Sequence, residues 1–84
     1  MAKVVIYSKT YCPYCDRAKA LLKSKGVSFE EHMMDDKPDE MKQLMERTGL
    51  RTVPQIFIND ELVGGFTDMD ALNKNGELDK LLES

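Results

Sequence analysis

The sequence predicts an α/β domain, a mixed four-stranded sheet flanked by helices. Three observations carry that expectation. Short β-branched runs alternate with amphipathic runs that start near proline or capping residues and stop at glycine. The first two strand-like runs are separated by a helical segment, which calls for parallel strands and a right-handed crossover. The last two are separated only by Asn59-Asp60-Glu61, which calls for an antiparallel hairpin.

The elements follow in order. Lys3 to Ser8 is β-branched and aromatic and reads as a buried strand. A cysteine-bearing turn comes next, and Pro13 suits the first turn of a helix, where its missing N–H is not needed. Ala18, Leu21 and Leu22 give that helix its apolar stripe, and Gly26 stops it. Val27 to Met33 reads as the second strand. Asp36-Lys37-Pro38-Asp39-Glu40 opens a second helix, with Met41, Leu44 and Met45 at helical spacing and Gly49 at its end. Gln55 to Asn59 and Leu62 to Gly64 form the hairpin strands. Thr67-x-x-Asp70 reads as a capping box for a third helix, and Leu78, Leu81 and Leu82 mark a last helical turn. This order matches the thioredoxin-like fold. At 84 residues, the chain is expected to be one domain spanning 1–84.

Composition narrows the function. Twelve basic and 15 acidic side chains leave a formal charge of −3, which argues against a nucleic-acid or anionic-membrane partner. The apolar run after Lys3 is only Val4-Val5-Ile6-Tyr7, far short of a secretory core, and no stretch is long enough to span a bilayer. A cytoplasmic location is expected. Thiols are kept reduced there, so a stable structural disulfide is not expected and the Cys-x-x-Cys spacing needs another explanation.

Cys12-Pro13-Tyr14-Cys15 stands at a strand-to-helix junction. Unpaired N–H groups and the positive end of the helix dipole point towards Cys12 and favour the nucleophilic thiolate. Lys9 adds positive charge three residues earlier. Cys15 lies one turn inside the helix, so Cys12 is the expected attacking sulfur and Cys15 the resolving one. Zinc is the first rival. A structural zinc site takes four protein ligands and a catalytic one three, whereas the chain offers two cysteines and one distant histidine, His32. No metal is expected. Two inert core cysteines are the bland reading, which the Pro-Tyr spacer at a helix start in a βαβ context weakens. Taken singly, other residues also have bland readings. Lys9 fits a solvated surface lysine, Tyr14 a packing ring, Pro54 an ordinary trans proline, and Thr67 with Asp68 a helix cap. Met33, Met34, Met41 and Met45 are expected in core or edge packing, and His32 on a half-exposed strand.

Three motifs in order make the chain similar to the glutaredoxin family along nearly its whole length. They are Cys12-Pro13-Tyr14-Cys15, Arg51-Thr52-Val53-Pro54-Gln55-Ile56-Phe57-Ile58, and Gly64-Gly65-Phe66-Thr67-Asp68. The pattern resembles dithiol glutaredoxins of the short bacterial type. The resemblance implies a glutathione site. Lys9 would lie near the glycine carboxylate, Tyr14 beside the groove, and Thr52 and Val53 would pair backbone with the glutathione cysteine. Pro54 would carry a cis bond from Val53. Gly65, Thr67 and Asp68, at a helix start, would hold the γ-glutamyl end. One departure stands out: relatives often place Gln or Arg at the start of the second helix, where this chain has Met41, with Lys42 or Arg51 as substitutes.

The implied activity is glutathione-dependent reduction of protein disulfides and protein–glutathione mixed disulfides. The implied partners are glutathione, disulfide-containing or glutathionylated proteins, and glutathione reductase indirectly. A monomer is expected. One rival is a redoxin served by thioredoxin reductase, against which Lys9, Tyr14 and Asp68 argue. Another is an iron–sulfur carrier built by a dimer, an activity more associated with glycine where this chain has Pro13.

Overall fold

Apolar side chains on both faces of Val4–Ser8 put this strand, β1, inside the sheet rather than at its edge. The structure, a computed structural model, describes residues 2–83. After β1 come α1 (Pro13–Ser24), β2 (Glu30–Met33), α2 (Pro38–Thr48), β3 (Gln55–Ile58), β4 (Glu61–Gly64), α3 (Phe66–Lys74) and α4 (Glu77–Glu83). The four strands form one sheet in the order β2-β1-β3-β4. β1 runs parallel to β2, with Val5 opposite Glu30 and Ser8 opposite Met33. It runs antiparallel to β3, with Val4 opposite Ile58 and Tyr7 opposite Gln55. β3 and β4 are antiparallel, with Ile56 opposite Gly64. This is the mixed four-stranded sheet of a thioredoxin-like fold.

Alternation along the strands feeds two cores. Val4, Ile6, Ile56 and Ile58 face Ala18 and Leu22 of α1, Met69 of α3 and Leu78 of α4. Tyr7, Phe57 and Val53 pack on the cluster of Met34, Met41 and Leu44, which α2 covers. The methionines Met34 and Met41 thus fill the α2 side, Met45 packs at its margin, and Met33 stays 37% exposed on edge strand β2. His32 is half-buried, stacked on Tyr7 with ring centroids 5.1 Å apart.

Four boundaries differ from the sequence reading. β2 begins at Glu30 rather than Val27, because Val27 donates to the Leu22 carbonyl and Phe29 packs into the α1-side core before pairing starts. The hairpin turn is the pair Asn59-Asp60, both at positive φ (53° and 66°), so Glu61 already belongs to β4. α3 begins at Phe66, not after Thr67. Its cap is Gly65, whose N–H donates to the Asp68 carboxylate at 2.9 Å, so the Thr67-x-x-Asp70 box is replaced by one set two residues earlier. The last turn is a seven-residue helix, α4, that buries Leu78.

The topology brings three loops to one end of the sheet. The end of β1 leads to Cys12. Because β3 is antiparallel to β1, its start, next to Val53–Pro54, lies at the same end. Because β4 is antiparallel to β3, its end, Gly64, returns there too.

Candidate active site

Cys12 is the N-cap of α1, in extended backbone conformation, and the Cys15 N–H donates to its sulfur at 3.2 Å. The two sulfurs are joined as a disulfide. Cys15 is fully buried with Ala18 and Leu22 on the inner face of α1, whereas Cys12 is half-buried and flanked by exposed Tyr11, Pro13 and Tyr14. The difference in exposure matches attacking and resolving roles, since an incoming disulfide reaches only the accessible sulfur. The loop before Cys12 is anchored: the Thr10 N–H donates to both carboxylate oxygens of Asp35, at 3.0 and 3.1 Å.

The Cys12 sulfur lies 3.8 Å from the Val53 carbonyl oxygen. The bond from Val53 to Pro54 is cis. Beside them runs a groove of about 360 Å³. Thr52, Val53 and Pro54 line one part of it, and Tyr14 and Leu50 another. Gly65, Phe66, Thr67 and Asp68, at the start of α3, complete it. The structure therefore brings together seven of the residues singled out from the sequence for binding: Tyr14, Thr52, Val53, Pro54, Gly65, Thr67 and Asp68. Lys9 is exposed and is not among the lining residues.

Met41 is 5% exposed and belongs to the α2-side core, so a polar side chain there would face Met34 and Leu44 rather than the groove. Lys42 and Arg51 line a separate depression with Met45, Glu46 and Gly49. Leu50 and Thr52, on either side of Arg51, line the groove itself.

Two residues that the sequence motifs include are given no role of their own by the sequence reading. Gln55, fully buried at the start of β3, accepts from the Thr48 hydroxyl at 2.9 Å and donates to the carbonyls of Leu50 (2.9 Å) and Thr52 (3.1 Å). It fastens the segment between α2 and β3 that forms one groove wall. Its only sequence signal was a polar residue opening an otherwise apolar strand. Gly64 sits at φ +119°, and a Cβ there would collide with the Asp68 carboxylate. Only glycine lets the carboxylate tuck back onto the Gly65 N–H.

Behind α1 lies a polar clamp. Glu31 meets the Lys19 ammonium at 2.8 Å and accepts from the buried Ser8 hydroxyl at 2.7 Å. The Lys19 bond, then the Ser8 bond, hold the Glu31 carboxyl below its usual range against the opposing effect of burial. The same bond to Glu31 raises Lys19. The clamp ties the helix that carries both cysteines to edge strand β2.

Among the described residues no three His, Cys, Asp or Glu side chains gather as a metal site. No described helix is long and apolar enough to cross a membrane.

The comparisons with known proteins agree on the family. The glutaredoxin family model matches residues 4–63. Glutaredoxin 3 of Escherichia coli is 52% identical over 83 residues, covering 99% of this chain and 100% of that protein. The glutaredoxin of Pseudomonas aeruginosa is 49% identical over 84 residues, covering both chains completely. Among solved structures, a buckwheat glutaredoxin–glutathione complex superposes with a TM-score of 0.91 at 33% identity, over 98% of this chain and 77% of that one. The solution structure of Brucella melitensis glutaredoxin superposes with a TM-score of 0.87 at 48% identity, over 98% and 89%.

Proposed function

The chain belongs to the glutaredoxin family, and from that membership we propose that it reduces protein disulfides and protein–glutathione mixed disulfides at the expense of glutathione. The observation that carries the reading is the accessible Cys12 sulfur, capped by the Cys15 N–H, within 3.8 Å of the Val53 carbonyl at the wall of the groove. Helix-terminal N–H groups favour the Cys12 thiolate, the form that attacks disulfides.

The cycle balances in two stages. Cys12 thiolate attacks one sulfur of a target disulfide, and the other leaves as a thiolate that takes up a proton. Cys15, giving up its proton, then attacks the Cys12 sulfur. This frees the second target thiol and leaves the Cys12–Cys15 disulfide. One glutathione thiolate opens that bond to a mixed disulfide on Cys12. A second releases glutathione disulfide and restores the dithiol. On a glutathionylated protein, Cys12 attacks the glutathione sulfur, the protein thiol leaves, and free glutathione resolves the adduct without Cys15.

Glutathione carries two carboxylates and one amine. The backbone of Thr52 and Val53 suits its cysteine, a short strand-addition contact. The α3 start, with Gly65, Thr67 and Asp68, suits the γ-glutamyl end: free helix N–H groups for its carboxylate and the Asp68 carboxylate for its amine. Tyr14 and Pro54 give the groove its apolar walls. Lys9 stands outside that lining and supplies long-range attraction to the glycine carboxylate. That a buckwheat glutaredoxin was crystallised with glutathione supports the assignment. The chain acts, in this reading, as a monomeric single domain, residues 1–84, in the reducing cytoplasm, and needs no metal.

The deciding experiment supplies the oxidised protein with NADPH and either glutathione plus glutathione reductase, or thioredoxin reductase alone. Faster turnover with the first system is expected. Efficient turnover by thioredoxin reductase, with none through glutathione, would sink the glutathione assignment and leave Cys12 and Cys15 as a redoxin pair.

A further inference from the structure

The guanidinium of Arg17 lies over the Tyr14 ring, 5.3 Å from its centroid. Among the described residues it has no carboxylate partner. The neighbouring acid, Asp16, is directed to Lys19 instead, 3.7 Å away. Tyr14 is 54% exposed and also lines the groove, whereas Arg17 does not. Thus the Tyr14 ring both lines the groove and carries a guanidinium that has no carboxylate partner among the described residues. A ligand that fills the groove ends before Arg17. A polypeptide attached through its own cysteine to Cys12 or to glutathione extends beyond the groove.

We propose that Arg17, held on Tyr14, is a specificity contact for protein targets that carry an acidic side chain beside the disulfide being reduced. The proposal rests on the reading of the groove as a glutathione site. Its physical basis is charge complementarity. The chain as a whole is acidic at −3, so a guanidinium without a carboxylate partner, stacked on a ring that lines the groove, stands against the general charge. Stacking on the ring removes much of the rotamer freedom that an exposed arginine would otherwise lose on pairing, and its planar fork matches a carboxylate with two parallel hydrogen bonds.

The test uses two synthetic peptides, each with one cysteine carried as a glutathione mixed disulfide and identical except that Glu residues flanking the cysteine in one are Gln in the other. Turnover is followed with glutathione, glutathione reductase and NADPH at low ionic strength, for the unaltered chain, Arg17→Gln and Arg17→Lys. The unaltered chain should favour the acidic peptide about threefold to fivefold in kcat/KM, the range of a solvent-exposed charge pair. Arg17→Gln should bring the ratio near one, mainly through KM, and Arg17→Lys should recover part of it. A ratio unchanged by Arg17→Gln overturns the proposal. So does a raised KM for glutathione itself in that variant, which would give the guanidinium to glutathione. The mixed disulfide of glutathione with mercaptoethanol separates the two levels. If the unaltered chain fails to turn it over, the glutathione reading falls and the inference with it. If it turns over while the peptides are handled alike, only the inference falls.

Discussion

The backbone N–H of Cys15 points at the sulfur of Cys12, 3.2 Å away, so one cysteine is the helix cap that the other's peptide satisfies. The geometry gives the two residues unequal chemistry. The cap sulfur is half-buried and receives the N–H, and the second sulfur is fully buried one turn inside the helix. Negative charge is favoured at the first and disfavoured at the second.

The first prediction separates the two roles. Cys15→Ser should still reduce a small glutathione mixed disulfide, because free glutathione resolves the adduct on Cys12. It should lose reduction of protein disulfides that require two thiols. Cys12→Ser should lose both activities. Equal activity of the two variants on the small mixed disulfide would reverse the assignment. In the reduced protein, the alkylation rate of Cys12 should persist to lower pH than that of a free cysteine.

The second concerns the α3 cap. Asp68 accepts from the Gly65 N–H and also faces the groove. Asp68→Ala should raise the KM for glutathione about tenfold, equivalent to ~1.4 kcal/mol, the lower end for a charge-assisted contact in an open groove. It should also cost about 1 kcal/mol of stability through the lost cap. Asp68→Asn keeps an acceptor for the cap but not the charge, so its KM should rise while its unfolding midpoint barely moves. A normal KM in both variants would reduce Asp68 to a cap.

The third tests Gly64. Its φ of +119° is unfavourable for any side chain, and a Cβ would meet the Asp68 carboxylate. Gly64→Ala should destabilise by about 1–3 kcal/mol. It should also raise the KM for glutathione by displacing Asp68. Gly76→Ala is the control. It is also at positive φ, 83°, but has open space around it and lies outside the groove, so it should lose stability without a change in KM.

The fourth is a pH dependence. Glu31 has its folded pKa below the ordinary 4.5, so its pairing stabilises the fold above that value and the contribution is lost as pH falls through the folded pKa. Lys19 has its folded pKa above the ordinary 10.5, so its contribution is present below that value and is lost as pH rises through the folded pKa. The pair therefore contributes fully between roughly pH 5 and pH 10. Both side chains are about a quarter exposed, at 23% and 29%, which keeps the contribution near ~0.5–1 kcal/mol. Urea unfolding of Glu31→Gln should show that deficit at pH 7 and little of it at pH 3. A deficit of the same size at pH 3 would mean that packing, not charge, sets it.

The element order, the sheet and the placing of the two cysteines at the start of α1 were legible because each rests on local chemistry. Apolar strand runs, Pro13 at a helix start and the existence of a hairpin at Asn59 and Asp60 speak through neighbours in sequence. What sequence reading misplaced depends on contacts across the fold. Phe29 lies in an apparent strand but is drawn into the α1-side core before pairing begins. Thr67 looks like a cap by pattern, yet the preceding glycine pair lets α3 start at Phe66 with Asp68 as its third residue. Met41, expected in core or edge packing, lies there; what the helix-start pattern does not show is that the rotation of α2 turns this position onto Met34 and Leu44 and away from the groove. Rotation about a helix axis is fixed by the partner surface, which no local pattern contains.

The last prediction follows from Gln55, whose side chain joins Thr48, Leu50 and Thr52 through hydrogen bonds of 2.9–3.1 Å. It is fully buried, so removing the amide takes the donor from the Leu50 and Thr52 carbonyls, while the Thr48 hydroxyl keeps its bond to the Leu44 carbonyl. Gln55→Leu should cost about 2–4 kcal/mol. The loosened segment also carries Leu50 and Thr52 of the groove, so the KM for glutathione should rise in the folded population. Gln55→Glu distinguishes wiring from volume. It preserves shape but turns an acceptor towards the Leu50 and Thr52 carbonyls, so burial beside them should favour the protonated acid, which can donate to one of them. A group whose folded pKa is raised adds stability as pH falls below that pKa. Gln55→Glu should therefore gain stability relative to the unaltered chain between neutral and mildly acid pH, whereas Gln55→Leu should show a deficit that does not depend on pH. Parallel pH profiles for the two variants would mean that Gln55 fills space and does not hold the groove wall.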